Sequence, residues 1–170
     1  MGLYKYNSNT NFFQSFVHDE KNENSPINDK VNCLMADNDG YLWLGTASGL
    51  DKFNLETKAF HHFKIGENDP EAVSHGNVGD ILEDSNGNVW VGTQKGLNVL
   101  KKGSNQFKKY FHNLEDKNSI SNNYIQGIVE DENGSIWIVT FGGGLSKYVP
   151  KTDSFINFTK ENSSLTSNRI

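Results

Sequence analysis

Apolar residues in this chain fall into short runs, not into helical stripes. No window sustains apolar positions at i, i+3, i+4 and i+7, and Gly and Asn interrupt every candidate. What recurs is an apolar run ending in Asp, then an Asx- and Gly-rich turn, then a run that is apolar on both faces. The first runs end at Asp37, Asp84 and Asp131, and the turns are Asp37-Asn38-Asp39-Gly40, Asp84-Ser85-Asn86-Gly87 and Asp131-Glu132-Asn133-Gly134. Asx and Gly supply the tight reversal that a hairpin needs. The second runs, YLWLGT, NVWVGT and SIWIVT, suit strands packed between neighbouring sheets. A short Gly turn leads to a third strand beginning at Leu50, Leu97 or Leu145. A fourth carries an aromatic pair at i and i+3: Phe60/Phe63, Phe107/Tyr110 and Phe155/Phe158. The pattern predicts an all-β chain made of four-stranded antiparallel units.

The units are repeats. Tryptophans stand at 43, 90 and 137, a period of 47 residues taken twice, and residues 31–53, 78–100 and 125–148 align on it, the last with one extra residue in its Gly run. A Ser-, Asn- and small-residue segment precedes each unit: SPIND at 25–29, AVSHGN at 72–77, SISNNY at 119–124 and SLTSNR at 164–169. Periods of 40–50 residues made of short strands predict β-propeller blades. The expected division is a half-blade at 1–24 with a third and a fourth strand, and blades at 25–71, 72–118 and 119–163. Residues 164–170 then begin a further repeat, with Ile170 as its first strand residue. Closed propellers have roughly 4–8 blades, so three and a half imply a partial ring that exposes sheet faces. The expectation is a piece of a longer chain, or copies that close the ring by self-association.

Composition narrows the class. Of 170 residues 12% are aromatic, which argues against disorder although only 35% are hydrophobic and mean hydropathy is −0.64. The formal charge is −5 and Arg169 is the single arginine. Nucleic-acid binding leans on basic stripes and arginine forks, so nucleic acid is not an expected partner. One cysteine, Cys33, rules out an internal disulfide and a zinc site built on cysteine pairs. No run nears the roughly 20 apolar residues of a membrane helix, and the opening MGLYKYNSNT holds no apolar signal core. No direct membrane contact is expected from this segment.

The combined motif is an apolar strand, E-D-x-x-G, a Trp between apolar residues followed by G-T, x-x-G-L, an aromatic pair, and S-φ-S-x-N. It resembles two-component regulator propeller repeats over essentially the whole chain. The sequence departs from the motif at Val139, where the family glycine is replaced, and at 141–144, where the turn is one residue longer. The resemblance implies an extracytoplasmic, membrane-anchored bacterial sensor, of the hybrid two-component or a related kind. This segment would be a non-catalytic, ligand-binding propeller, contributing to signal transduction through domains elsewhere. The alternatives are a segment of a propeller enzyme, a lyase or a glycan-active protein, and a protein-interaction scaffold.

Candidate chemistry is sparse. The Asp-rich turns fail as EF-hand loops, because positions 1 and 12 fall on Met35, Leu82 and Val129 and on Thr46, Thr93 and Thr140. The G-x-x-x-x-G-T spacing of GYLWLGT lacks the phosphate-loop lysine. His61 and His62, adjacent on a strand, point to opposite faces, which disfavours a shared metal. His18 and His112 share a repeat position that Ile65 and Lys160 fill elsewhere. No catalytic residue, metal site or cofactor is expected. Trp43, Trp90 and Trp137, at identical strand positions, are assigned to the core between blades. Positions that do not repeat are where function would lie. They are Lys30, Asn77, Tyr124 and Arg169 before each first strand, and Gln94, Lys95 and Phe141 in the turns after second strands. Both sets of loops open on one face around the channel mouth. Amides and cations beside aromatic faces suit a polar ligand such as an oligosaccharide.

Overall fold

The computed structural model describes residues 2–169, so Met1 and Ile170, the latter assigned above to a further repeat, lie outside the described residues. Strands β1 (Leu3–Asn7) and β2 (Phe12–Phe16) pair alone. Three four-stranded sheets follow. The first holds β3 (Val31–Ala36), β4 (Tyr41–Thr46), β5 (Leu50–Asn54) and β6 (Phe60–Phe63). The second holds β7 (Val78–Glu83), β8 (Val89–Thr93), β9 (Gly96–Leu100) and β10 (Phe107–Tyr110). The third holds β11 (Ile125–Glu130), β12 (Ile136–Thr140), β13 (Gly144–Val149) and β14 (Ser154–Phe158). Each sheet is an antiparallel meander in chain order, and no helix occurs among the described residues. Of the first strands, β7 lies against both β3 and β11. These are blades of a partial propeller, as the hydrophobic pattern predicts.

Three apolar seams hold the sheets together. Leu3, Leu44 and Phe53 join the half-blade to the first full sheet; Trp43, Val78, Val91 and Phe107 join the first to the second; Trp90, Ile125, Ile138 and Tyr148 join the second to the third. Trp43 and Trp90 are 1% exposed. Trp137 is half-buried, on the face of the third sheet that no other described sheet covers. The motif glycine has a packing cause. A Cβ at Gly45 would come within 2.7 Å of Val78 Cγ1, and one at Gly92 within 2.5 Å of Ile125 Cγ2, each on the next first strand. Val139 stands at the same position on the uncovered sheet, where that constraint is absent.

The Asx turn carries more than a reversal. Asp84 Oδ1 accepts from the Asn86 and Asn88 amides at 3.0 and 2.8 Å, while Oδ2 accepts from Trp90 Nε1 at 2.8 Å. Asp37 does the same for Trp43 and Asp131 for Trp137, at 2.9 and 2.8 Å. The Trp137 indole and the Ser135 amide hold the Asp131 carboxyl below its ordinary range. A buried indole N–H without an acceptor is costly, so one carboxylate both shapes the hairpin and pins the core residue. The glutamate before it serves the neighbouring blade. Glu83 accepts from Asn38 N and Nδ2, both at 2.9 Å, and Glu130 accepts from Ser85 N at 2.7 Å and Ser85 Oγ at 2.5 Å.

Asp84→Ala leaves Trp90 Nε1 buried without a partner and is expected to cost about 1–3 kcal/mol in urea unfolding. Asp131→Ala is expected to cost less, because Trp137 is half-exposed and water can replace the carboxylate. Asp84→Asn, which keeps an acceptor, should fall between wild type and Asp84→Ala. Equal losses for Asp84→Ala and Asp131→Ala would contradict this account.

Candidate functional site

The loops on one face are positioned by a buried polar clasp that recurs in every full sheet. Asp51, Asn98 and Ser146, at matching places on the third strands, are 0% exposed. Each accepts from the backbone of the incoming segment: Ile27 N to Asp51 at 2.8 Å, Ser74 N to Asn98 at 2.8 Å, and Ser121 N to Ser146 at 3.1 Å. Opposite them in register stand His62, Lys109 and Asn157. Those side chains reach carbonyls earlier in the same segments. His62 Nε2 meets Glu23 O at 2.8 Å, Lys109 Nζ donates to Gly66 O and Asp69 O at 2.6 Å, and Asn157 Nδ2 donates to Ser119 O at 2.8 Å. Position is kept while chemistry changes. His18 and His112 close the same segments, each with Nδ1 2.8 Å from the carbonyl of Pro26 or Ile120. In the loop between them in sequence, the Ile65 backbone bridges to Val73 instead.

The Asp51–His62 clasp is ionisable. His62 Nδ1 lies 2.7 Å from Asp51 Oδ1. Both ring nitrogens therefore face oxygen acceptors, and only the imidazolium donates to both. Burial opposes protonation, but the bonds to Asp51 and Glu23 O outweigh it and raise the His62 value above its ordinary range. Burial also raises the Asp51 carboxyl, and the His62 contact pulls it back.

From these supports the loops carry the seven candidate residues to one face. Backbone bonds tie each pair of loops: Ala47 N to Lys30 O at 3.0 Å, Gln94 N to Asn77 O at 3.1 Å, and Phe141 N to Tyr124 O at 2.8 Å. Four candidates form a row. Gln94 Nε2 donates to Tyr124 Oη at 3.3 Å, the Tyr124 and Phe141 rings lie 5.3 Å apart, and the Arg169 guanidinium sits 5.0 Å from the Phe141 centroid. Tyr124 and Phe141 remain 37% and 42% exposed. Asn77 lies apart and accepts from Asn32 Nδ2 at 3.1 Å. Lys30 and Lys95 are exposed and make no side-chain hydrogen bond among the described residues.

Sequence reasoning passed over Asn32. It sits where the β3–β4 register shifts between Val31 and Cys33, and the same irregularity recurs at Val78/Asp80 and Ile125/Gly127. The extra residue turns toward the neighbouring first strand, so Asn32 Nδ2 also reaches Val78 O at 2.9 Å. At the next seam Asp80 Oδ2 accepts from Ile128 N at 2.7 Å. Cys33 lies close to Asp80, and burial, helped by that carboxylate, pushes its thiol up to about 12, so it is not a nucleophile at neutral pH. A polar residue two or three places into an apolar first strand was the only available signal. Among the described residues no group of three potential metal ligands is gathered.

Three segments, residues 25–48, 72–95 and 119–142, match the family model described as two component regulator propeller. No curated protein matches the sequence. Among solved structures the chain is similar to the extracellular domain of the hybrid two-component system BT3049 from B. thetaiotaomicron. Identity is 24% and the TM-score 0.74, over 91% of this chain and 20% of that one. It is also similar to the extracellular domain of BT4673 from the same organism, at 21% identity and TM-score 0.68, over 99% of this chain and 30% of that one. Streptogramin B lyase aligns at 17% identity and TM-score 0.58, over 78% of this chain and 41% of that one. Likeness at these identities is likeness of fold. The chain spans under a third of the two sensor domains it matches.

The ionisable clasp sets a pH dependence. A folded-state His62 value above the unfolded one contributes stability that is complete below about pH 6.5 and is lost as pH rises through the raised value. Thermal melts of wild type and His62→Gln should therefore differ most in mild acid, where His62 is protonated and Asp51 still ionised, and converge in base. A gap that is constant with pH would contradict the ionic clasp.

Proposed function

We propose that this chain, which carries three two-component regulator propeller repeats, is a non-catalytic ligand-sensing segment of an extracytoplasmic bacterial receptor. The observation that supports the reading is the row Gln94–Tyr124–Phe141–Arg169. It lies where the repeats differ from one another, on loops whose incoming segments the repeated clasp bonds in place. Two exposed aromatic faces flanked by an amide and a guanidinium suit a polar ring-bearing ligand, and an oligosaccharide is the class that fits. Asn77, Lys30 and Lys95, farther along the same loops, would contact the ends of a longer ligand.

The mechanism is binding. A ligand seated on the loop face would alter how this arc sits against further blades, or against second copies that close the ring. It can do so only as far as its affinity differs between the two arrangements. Its location would be periplasmic or cell-surface, in keeping with the extracellular sensor domains whose fold it shares. The lyase likeness concerns the fold, and the row holds no carboxylate, imidazole or thiol.

A glycan array followed by calorimetry tests this. Tyr124→Ala combined with Phe141→Ala is expected to weaken the best hit at least tenfold, about 1.4 kcal/mol. Melting temperature should hardly change, because both rings are exposed. Binding unaltered by the double variant would overturn the site, and a chain that retains no glycan would overturn the ligand class.

A further inference from the structure

Two adjoining clefts of about 390 and 490 Å3 open between the first and second sheets, away from the loop face. Trp43, Lys52, Leu100, Ser104 and Asn105 belong to the walls of both, and none of the seven loop-face candidates lines either. The repeats explain why a space exists here. Leu100 holds on β9 the place that Phe53 holds on β5 and Tyr148 on β13. Those two aromatics are buried and close their seams, Phe53 against Phe16 at 5.0 Å and Tyr148 against Trp90 at 5.1 Å. The half-buried Leu100 is too short to do so. Asn105 likewise stands where the third sheet has Asp153. Asp153 accepts from Tyr110 Oη at 2.5 Å and Tyr148 Oη at 2.8 Å and pairs with Lys108, bonds that overcome burial and hold its carboxyl at about 2. Asn105 donates instead to Glu71 at 3.1 Å, and the seam stays open.

The walls are even in formal charge, with Asp37, Asp39, Glu71 and Glu83 against Lys52, Lys64, Lys101 and Lys102, but their hydrogen-bonding groups are not evenly partnered. Most of the acids already have donors: Asp37 takes its own turn, the Trp43 indole and, at 3.7 Å, Lys52 Nζ, Glu83 takes Asn38, and Glu71 takes Asn105. Exposed Asp39 is the exception. Lys64, Lys101 and Lys102 make no side-chain hydrogen bond or ion pair among the described residues. Between them lies an apolar floor of Leu100 and Phe63. Ammonium donors without acceptors around a small apolar floor fit a ligand with complementary parts.

We propose that this seam is a second binding site, for a small ring-bearing organic anion, either a carboxylate or a sulfate ester. The ring lies on Leu100 and Phe63, and the anionic group faces Lys64 at one end or Lys101 and Lys102 at the other. The site is independent of the loop-face row, so failure of either leaves the other standing.

Amide-resolved NMR titration of the chain tests it with four probes: a sulfated disaccharide, an aromatic carboxylate, an uncharged disaccharide and inorganic sulfate. At least one of the two ring-bearing anions should give saturable shifts at residues 100–105, and which one does so distinguishes sulfate ester from carboxylate. The uncharged disaccharide and inorganic sulfate should not. Leu100→Tyr, which fills the seam as Tyr148 does, should abolish the shifts without lowering the melting temperature. Lys64→Gln combined with Lys101→Gln and Lys102→Gln, which removes the ammonium groups at both ends, should weaken binding at least fivefold, and decides the matter alone if Leu100→Tyr does not fold. Saturation by neither ring-bearing anion, equal response to inorganic sulfate, or unchanged binding by the variants would overturn the site.

Discussion

The hydrogen bond from a core tryptophan to the aspartate of its own hairpin turn is the constraint on which the rest depends. A propeller seam needs a large flat side chain between sheets, and tryptophan supplies it together with a polar N–H that cannot be left alone. Asp84 resolves the conflict for Trp90 with one oxygen and shapes the turn with the other. The rotation of the indole is thereby linked to the geometry of a reversal six residues earlier. Strand pairing, seam packing and turn conformation then cannot vary separately, which is why the motif appears as a block and not as scattered preferences.

Around that fixed block the chain varies freely. The clasp positions show how far: Asp51 with His62, Asn98 near Lys109 and Ser146 with Asn157 hold equivalent loops by an ionic pair, an ammonium among carbonyls, and two neutral groups. What burial demands is that each polar atom find a partner, not that it find a particular one. The fold thus tolerates divergence in chemistry at positions whose geometry is strict. Differences accumulate in loops and seams, where a repeat can acquire a ligand.

The architecture was legible because its signals are periodic. Trp43, Trp90 and Trp137, the Asx–Gly turns and the Phe pairs give strand number, order and the seam-facing side directly. The gathering of Gln94, Tyr124, Phe141 and Arg169 was legible only as a shared face, since the contacts between them depend on turn lengths and on backbone bonds such as Phe141 N to Tyr124 O. The roles of Asn32 and Asp80 were not legible, because a polar residue inside an apolar first strand does not by itself reveal the register shift that turns it toward the next blade. Nor was the open seam, which depends on comparing Leu100 with Phe53 and Tyr148 by volume rather than by polarity.

The glutamates that reach across seams give the arc a direction. Glu83 completes the turn at residues 37–40, and Glu130 completes the turn at 84–87, so the second and third units each lend a carboxylate to the one before. At the turns the dependence runs one way along the chain, like tiles that each overlap the last. Loosening the second unit therefore uncaps the turn at 37–40, and loosening the third uncaps the turn at 84–87. These two reversals of the arc are thereby polar, each completed by the unit that follows it and, among the described residues, by no hydrogen bond from the unit before.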